Sequence, residues 1–135
     1  MASEFYEFSG ICKWPRLSEP DPKYNCWSIC VYLDEASKKL FDKSGVQCEP
    51  QSDEDGVYVK FRRPAEKIIK KELVEFPKPA VIDKNSVVVD PMVVGNGSRV
   101  RVTVRVFDTM KGKGHRLERV VIEDLVGYHR PDYDG

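Results

Sequence analysis

The segment Arg99-Val-Arg-Val-Thr-Val-Arg-Val-Phe107 alternates strictly between valine and larger polar or aromatic residues. A period of two is the period of a β-strand, in which successive side chains point to opposite faces. If the valines face a core, then Arg99, Arg101, Arg105 and Phe107 face the wetter side of the sheet. The pattern therefore predicts an antiparallel sheet with one buried and one cationic face.

Four further segments have strand-like patterns, at residues 8–14, 26–33, 57–63 and 116–128. The alternation of the last one shifts near residues 119–122, which indicates a β-bulge. A helix is predicted from the N-cap Asp34 to about Lys43, with Gly45 as its stop. In a chain of 135 residues without repeats, about five main strands and one helix predict a single, mostly β domain built as an antiparallel barrel or sandwich.

The remaining segments give weaker signals. Residues 67–76 are predicted as a short helical turn or a mobile loop, since apolar residues lie among lysines and the segment is flanked by Pro64 and Pro77. Brief strands are predicted at 81–83 and 87–90, and a tight turn at 95–98. Trp27 is assigned to the core because it shares a face with Ile29 and Val31, whereas Tyr24 and Tyr32 are left undecided.

The charge composition restricts the kinds of partner that the chain as a whole can attract. Lysine and arginine total 22 and aspartate and glutamate total 22, so no net charge draws the whole chain to nucleic acid or membrane. The charge is nevertheless segregated: residues 60–71 hold six basic and one acidic residue, and 96–119 hold seven basic and two acidic. With no apolar run of about 20 residues and no basic leader, a soluble, unexported protein is expected.

No catalytic constellation is recognised in the sequence. His115 and His129 lack a nucleophile pattern, and no phosphate-binding glycine loop is present. The four cysteines, Cys12, Cys26, Cys30 and Cys48, lack paired C-x-x-C knuckles, and thiols are expected in place of a zinc site or disulfides. We therefore expect no enzyme activity, cofactor or metal. One alternative is a metal-dependent nuclease using Asp53, Glu54 and Asp55, which would cleave strands in the presence of magnesium.

A second strand repeats the cationic face, with Tyr58, Lys60 and Arg62 opposite Val57, Val59 and Phe61. Cations neutralise phosphates and aromatic rings stack on bases, so two such strands on one side of a sheet predict a groove for single-stranded nucleic acid. An ordinary solvated sheet face explains the same pattern. The candidate DNA-binding residues are Lys13, Trp14, Tyr58, Lys60, Arg62, Arg99, Arg101, Arg105, Phe107, Lys111 and Lys113. Of these, Trp14 is also open to a core assignment.

The ordered motifs resemble the single-stranded DNA-binding proteins of short-tailed bacteriophages. The similar pieces are Gly10-x-x-Lys-Trp-Pro-Arg-Leu-x-Glu-Pro-Asp21, the 27–33 strand, Asp55-Gly-Val-Tyr-Val-Lys-Phe-Arg62, Val81-Ile-Asp83, Gly95-Asn-Gly-Ser-Arg-Val-Arg-Val102 and the closing 117–128 strand. The resemblance covers residues 8–128. It implies a five-stranded OB-type barrel over residues 1–130, with DNA contacts at Lys60, Arg62, Arg99 and Arg101.

The resemblance also implies a role. Such a protein coats and protects single strands in phage DNA replication or recombination, in the cytoplasm of the infected bacterium, and promotes annealing. Family members recruit phage DNA polymerase and primase-helicase, and form homodimers, through a long acidic tail. Residues 131–135 offer only Asp132, Tyr133 and Asp134, as if the tail were removed or lacking, so these partners and the homodimer remain open.

A runner-up function from another class is a phage protein-interaction module. In this interpretation the Phe76-Pro-Lys-Pro79 loop and the lysine-rich residues 67–71 dock onto an acidic partner protein, and the barrel binds no nucleic acid.

Overall fold

A seven-stranded sheet dominates the structure, a computed structural model that describes residues 3–46, 50–54, 56–109 and 112–125. The strands are β1 (Ser3–Arg16), β2 (Cys26–Leu33), β3 (Gln51–Asp53), β4 (Gly56–Pro64), β5 (Glu66–Ile69), β6 (Glu72–Glu75), β7 (Ala80–Asp83), β8 (Arg99–Thr109) and β9 (Gly112–Asp124). The helix α1 (Glu35–Ser44) follows β2, and a short 3-10 helix spans Pro91–Val93.

The strand order in the main sheet is β3-β4-β2-β1-β8-β9-β7, and all neighbours are antiparallel except β7 and β9. The mostly β prediction with one short helix is confirmed. Five long strands, β1, β2, β4, β8 and β9, match the five predicted ones, although β1 begins earlier and continues to Arg16 with an irregular register after Lys13.

The core lies on the face predicted from the alternating valines. Val100, Val102, Val104 and Val106 are all buried. Phe8 of β1 stacks on Phe61 of β4 with ring centroids 5.5 Å apart, and Phe41 of α1 meets Phe8 edge-on at 5.7 Å. Trp27 is buried as predicted.

The predicted ends of the helix are confirmed. The Asp34 side chain accepts a 2.8 Å hydrogen bond from the Ser37 backbone N–H, and Gly45 ends the helix with φ +75°. A side-chain acceptor at the N-cap and a left-handed residue after the last turn satisfy backbone groups that the helix itself leaves unpaired. None of the described helices has the length and apolar content to cross a membrane.

The sheet is rolled so that β4 approaches β9, although three strands separate them in the sheet order. The Arg62 backbone N–H donates to His115 Nε2 at 3.2 Å, and the buried Arg63 guanidinium donates to the Leu117 carbonyl at 3.1 Å. Side chains of β9 and β4 thereby bring together parts of the sheet that lie far apart in its strand order.

Two weak expectations are corrected. Residues 66–75 form the hairpin β5–β6, neither a helical turn nor a loop, with Ile68 opposite Leu73. Its turn residues Lys70 and Lys71 have φ of +51° and +68°. A two-residue turn with positive φ at both positions is usually marked by Asn-Gly, so two lysines at these positions did not predict it. At 87–90 only an isolated bridge joins Val88 to Ile82. Val89 packs partly against the core, but Val87 and Val88 are 59% and 82% exposed, so little burial stabilises a longer strand there.

Some predicted features lie outside the described residues. These are Asp55 and its turn, Cys48, Lys111, His129 and the chain end at 126–135.

Candidate nucleic-acid interface

Three aromatic side chains meet on the outer face of β1, β2 and β4. The Trp14 ring lies 5.9 Å from the Tyr58 ring in an edge-on arrangement, and Tyr58 lies 5.2 Å from Tyr32. Tyr32 and Tyr58 are directly opposite each other in the β2–β4 register. We call Trp14, Tyr32 and Tyr58 the aromatic cluster. Trp14, for which the sequence allowed a core or a surface position, is 52% exposed and therefore lies outside the core.

The glycine turn predicted at 95–98 holds Trp14 in place. Asn96 Oδ1 accepts a 2.7 Å hydrogen bond from the Trp14 backbone N–H. Cys12 and the turn exchange two backbone hydrogen bonds of 2.9 Å, with Ser98 and Gly97. Trp14 itself has φ +49°, a conformation that costs a non-glycine residue of order 1 kcal/mol or more. The turn therefore fixes an exposed ring in a strained backbone position, and the sequence pattern did not identify Asn96.

A surface hollow of about 430 Å³ lies beside the cluster, lined by Ile11, Cys12, Lys13, Tyr32, Asn96 and Gly97. The Tyr32 hydroxyl donates a 2.6 Å hydrogen bond to Asp53. Loss of hydration, reinforced by that carboxylate, raises the pKa of Tyr32 to about 12, so the phenol stays neutral at physiological pH. The neutral Tyr32 ring and the Ile11 side chain give the hollow apolar surface.

Cations surround the aromatic cluster. Lys13 Nζ lies 5.0 Å from the centre of the Trp14 ring and 5.6 Å from that of Tyr32. Lys13 and Lys60 are the cross-strand neighbours of Cys30 on either side, and Arg62 follows two residues after Lys60 on the same outer face. Five predicted residues, Lys13, Trp14, Tyr58, Lys60 and Arg62, are thus gathered on one surface, joined by the previously undecided Tyr32.

The three arginines of β8 are on the outer face of the sheet but carry acidic partners. Arg99 lies 3.7 Å from Asp34, Arg101 lies 3.3 Å from Glu7, and Arg105 lies 3.6 Å from Glu118. Arg99 is the neighbour of the cluster, because it pairs with Ile11, which in turn pairs with Tyr32. Arg101 and Arg105 lie farther along β8 on the same outer face, with Thr103 between them.

Phe107 and Lys113, two further predicted residues, lie away from the aromatic cluster. Phe107 is near the far end of β8, where Lys67 Nζ is 5.3 Å from its ring centre. Lys113 lies beside Gly45 at the carboxyl end of α1. Phe5, the outward residue of β1 that pairs with Arg105, is eight residues from Lys13, which corresponds to roughly 26 Å along a strand at 3.3 Å per residue. The predicted cationic face is therefore divided between two regions.

Within the described part of the chain, no three histidine, cysteine or acidic side chains come together in a group suited to a metal ion. Cys12, Cys26 and Cys30 are buried cysteines outside any disulfide among the described residues. Burial raises the pKa of Cys12 to about 11, which keeps its thiol protonated. Asp53, from the proposed nuclease trio, accepts the hydrogen bond from Tyr32.

The comparisons with known proteins concern the fold. No family model matches the sequence, and no curated protein matches it. Among solved structures, the chain is similar to gp2.5, a single-stranded DNA-binding protein encoded by bacteriophage T7, with a TM-score of 0.66 and 17% identity over 98% of this chain and 93% of that one.

It is also similar to the single-stranded DNA-binding protein of bacteriophage Enc34 in complex with single-stranded DNA. The TM-score is 0.59, with 15% identity over 93% of this chain and 89% of that one. At these identities the likeness establishes the fold. The chain therefore has the OB-type fold that was expected from its sequence, shared over nearly its whole length with single-stranded DNA-binding proteins of bacteriophages.

Proposed function

We propose that this protein binds single-stranded DNA without sequence preference, at the surface formed by the aromatic cluster with Lys13, Lys60 and Arg62. The observation that carries the proposal is the exposed Trp14 ring, held by the 95–98 turn beside two tyrosines and a lysine. Its likeness in fold to a phage protein solved in complex with single-stranded DNA supports the same ligand.

The chemistry of the surface matches this ligand. Every base has a π-face, so stacking on Trp14 contributes about 1–3 kcal/mol per base whatever the base is. Lys60 and Arg62 follow Tyr58 on the same strand and face, where they neutralise phosphates next to a stacked base. Arg99 borders this surface, but it must exchange Asp34 for a phosphate to contribute.

The biological role that follows is coating. A protein that holds single strands extended removes hairpins and shields the backbone from nucleases during phage DNA replication and recombination. It acts in the cytoplasm of the infected bacterium, performs no covalent chemistry, and promotes annealing of complementary strands. Phage DNA polymerase and primase-helicase are its candidate protein partners, and self-association as a homodimer belongs to the same proposal.

The test is fluorescence anisotropy of three labelled ligands of equal length, oligothymidine, oligouridine and a DNA duplex, titrated at several salt concentrations. Tight binding to oligothymidine that weakens steeply with salt, and much weaker binding to the duplex, supports the proposal. No binding to oligothymidine at low salt rejects it. Magnesium-dependent cleavage of the oligonucleotide would instead favour the nuclease alternative.

The hairpin β5–β6 favours the second candidate function, a protein-interaction module. Its cross-strand pair Ile68 and Leu73 is 71% and 61% exposed, next to Lys70 and Lys71 at the turn. An apolar pair beside cations suits an acidic protein surface. If Ile68→Ser with Leu73→Ser abolishes binding to a phage protein while oligothymidine binding persists, the hairpin serves protein contacts in addition to the DNA surface.

A further inference from the structure

Two arginines stand directly opposite each other on neighbouring strands, at the end of the sheet remote from the aromatic cluster. Arg105 of β8 pairs with Arg116 of β9 in the antiparallel register. Like charges in this position repel each other and destabilise a sheet. An anion at this position relieves the repulsion.

One anion is supplied by Glu118, through an irregularity of β9. The register passes from Thr103–Arg119 to Val104–Leu117, so Glu118 is the extra residue of the bulge predicted near Arg119. Glu118 Oε1 lies 2.8 Å from Arg116 Nε and 3.6 Å from Arg105 Nε, and its other oxygen lies 3.2 Å from Arg63 Nη1.

Three guanidinium groups therefore share one carboxylate, which leaves two positive charges uncompensated within this group. Arg63 is buried and bonded on several sides, to Pro77, Leu117 and Glu118. Arg105 is different, because its side chain is 36% exposed and the oxygen of its carboxylate partner lies 3.6 Å away. The group therefore retains net positive charge, and the Arg105 side chain is partly open to a second anion.

Aromatic rings support these cations. The guanidinium of Arg105 lies 4.8 Å from the ring centre of Phe5, and that of Arg116 lies 4.7 Å from the ring centre of Phe76. Phe5 is 57% exposed, so one face of its ring is available to a ligand. A cleft of about 450 Å³, lined by Phe5, Glu7, Ala80, Thr103, Glu118 and Arg119, adjoins it, and this volume is within the range of small-ligand sites.

We infer that this arginine–phenylalanine surface is a second binding site for single-stranded nucleic acid, with a phosphate at Arg105 and Arg116 and a base stacked on Phe5. The inference rests on the proposed function and extends it, since one protein chain would then bind two nucleic-acid strands at once. Holding two strands on one barrel raises their effective concentration and accelerates the pairing of complementary sequences.

The acidic residues between the two sites favour the binding of two separate nucleic-acid strands over that of one long nucleic-acid strand crossing both sites. A strand leaving the aromatic cluster along β1 and β8 meets Asp34 and Glu7, the carboxylates bound to Arg99 and Arg101. Those ion pairs cancel the charge that would guide phosphates across the roughly 26 Å of strand between Lys13 and Phe5. Arg119 of β9, opposite Thr103, lies to one side of such a path, but Arg99 and Arg101, the arginines of β8 along it, are both compensated.

The test counts oligonucleotides bound per chain. The full chain is titrated by calorimetry with an oligothymidine of about six nucleotides, near the lower end of OB-fold site sizes. The variants are Phe5→Ala and Arg116→Gln at the second site and Trp14→Ala at the first, with Lys39→Gln on the exposed side of α1 as a charge-matched control. Thermal melting monitors folding, and Phe5→Ala removes a largely exposed ring, so it keeps the fold even if Arg116→Gln does not.

Two oligonucleotides per wild-type chain are expected, with one lost in Phe5→Ala and in Arg116→Gln. Trp14→Ala weakens the tighter binding event, at the aromatic cluster, and leaves binding at the second site unchanged. Annealing of complementary strands slows about fivefold or more in Phe5→Ala, the loss of one base stack. A single oligonucleotide per wild-type chain, sensitive to Trp14→Ala alone, overturns the second site and leaves the proposed function standing. A single binding event that Phe5→Ala and Trp14→Ala weaken equally also overturns the second site, because both residues then belong to one continuous site. No binding at all refutes the proposed function itself.

Discussion

The side-chain oxygen of Asn96 accepts a 2.7 Å hydrogen bond from the backbone N–H of Trp14. These residues are 82 positions apart in sequence, and the contact joins the glycine turn before β8 to the irregular end of β1. It fixes the direction in which an exposed indole leaves the sheet. The proposed binding surface therefore depends on a residue that never needs to touch DNA.

Asn96→Ala should weaken binding of oligothymidine without unfolding the protein. Removing one such hydrogen bond corresponds to about 0.5–1.5 kcal/mol, or roughly a 2- to 12-fold rise in Kd, because Trp14 is no longer held in its left-handed backbone conformation. Anisotropy titration measures the change. Asn85→Ala, in the exposed turn after β7, is the matched control, and equal affinities for the two variants would show that the Asn96 contact does not orient Trp14 for binding.

Lys60→Gln should reduce affinity for every sequence and flatten the salt dependence. Loss of one phosphate contact on a single strand changes the slope of log K against log salt concentration by about 0.7. The measurement is a series of oligothymidine titrations across salt concentrations, with Lys39→Gln as control. A wild-type slope in Lys60→Gln would remove this lysine from the interface.

His115 should make stability depend on pH. Its Nε2 accepts the hydrogen bond from the Arg62 backbone N–H, and burial, followed by the nearby Arg62 charge, lowers its pKa from 6.5 to about 4. A lowered folded-state pKa means that the unfolded chain binds the proton more readily. The stabilising contribution is complete above pH 6.5, and the free energy of unfolding falls as the pH drops from about 6.5 to about 4.

Urea denaturation at several pH values tests this dependence. His115→Gln keeps an acceptor for the Arg62 N–H but does not titrate, so its stability should vary less than that of the wild type between pH 7 and pH 4. Parallel curves for the two proteins would show that His115 is not the group responsible.

Gly10→Ala should destabilise the fold. A Cβ on Gly10 would lie 2.0 Å from the Tyr32 carbonyl oxygen, inside the β1–β2 pair. Backbone atoms cannot yield cheaply, so we expect a loss of about 1–3 kcal/mol or more in the free energy of unfolding. Ser9→Ala, which adds no atom at the adjacent position, is the control. An unchanged denaturation midpoint for Gly10→Ala would mean that the two strands are less closely apposed.

Local patterns predicted much of this fold because burial imposed them. The valines of β8 face the core as their period requires, and so do Ile29, Val31 and Leu33 of β2, although the residues between them are mostly buried as well. Asp34 and Gly45 bound the helix with residues suited to its ends. The shift near Arg119 correctly indicated a bulge. In each case the pattern lies in residues close together in sequence, so it predicts the local structure without knowledge of how the rest of the chain folds.

Features that depend on long-range register were not predictable. The group around Glu118 draws arginines from β4, β8 and β9, and only the three-dimensional arrangement shows that one carboxylate serves all three. The hairpin β5–β6 was missed because Lys70 and Lys71 adopt a turn that other residues normally mark. Alternation placed Arg99 and Lys60 on an outer face, but it could not show that Arg99 has an acidic partner.

Trp14 fluorescence during an oligothymidine titration reports on base stacking at the aromatic cluster, since the protein has two tryptophans and Trp27 is buried. The account predicts saturable quenching of the emission as bases stack on Trp14, with the same midpoint as the anisotropy curve. The quenching should be lost in Trp14→Phe, in which only Trp27 emits. Binding detected by anisotropy with unchanged tryptophan emission in the wild type would contradict the account, because the strand would then lie away from the aromatic cluster.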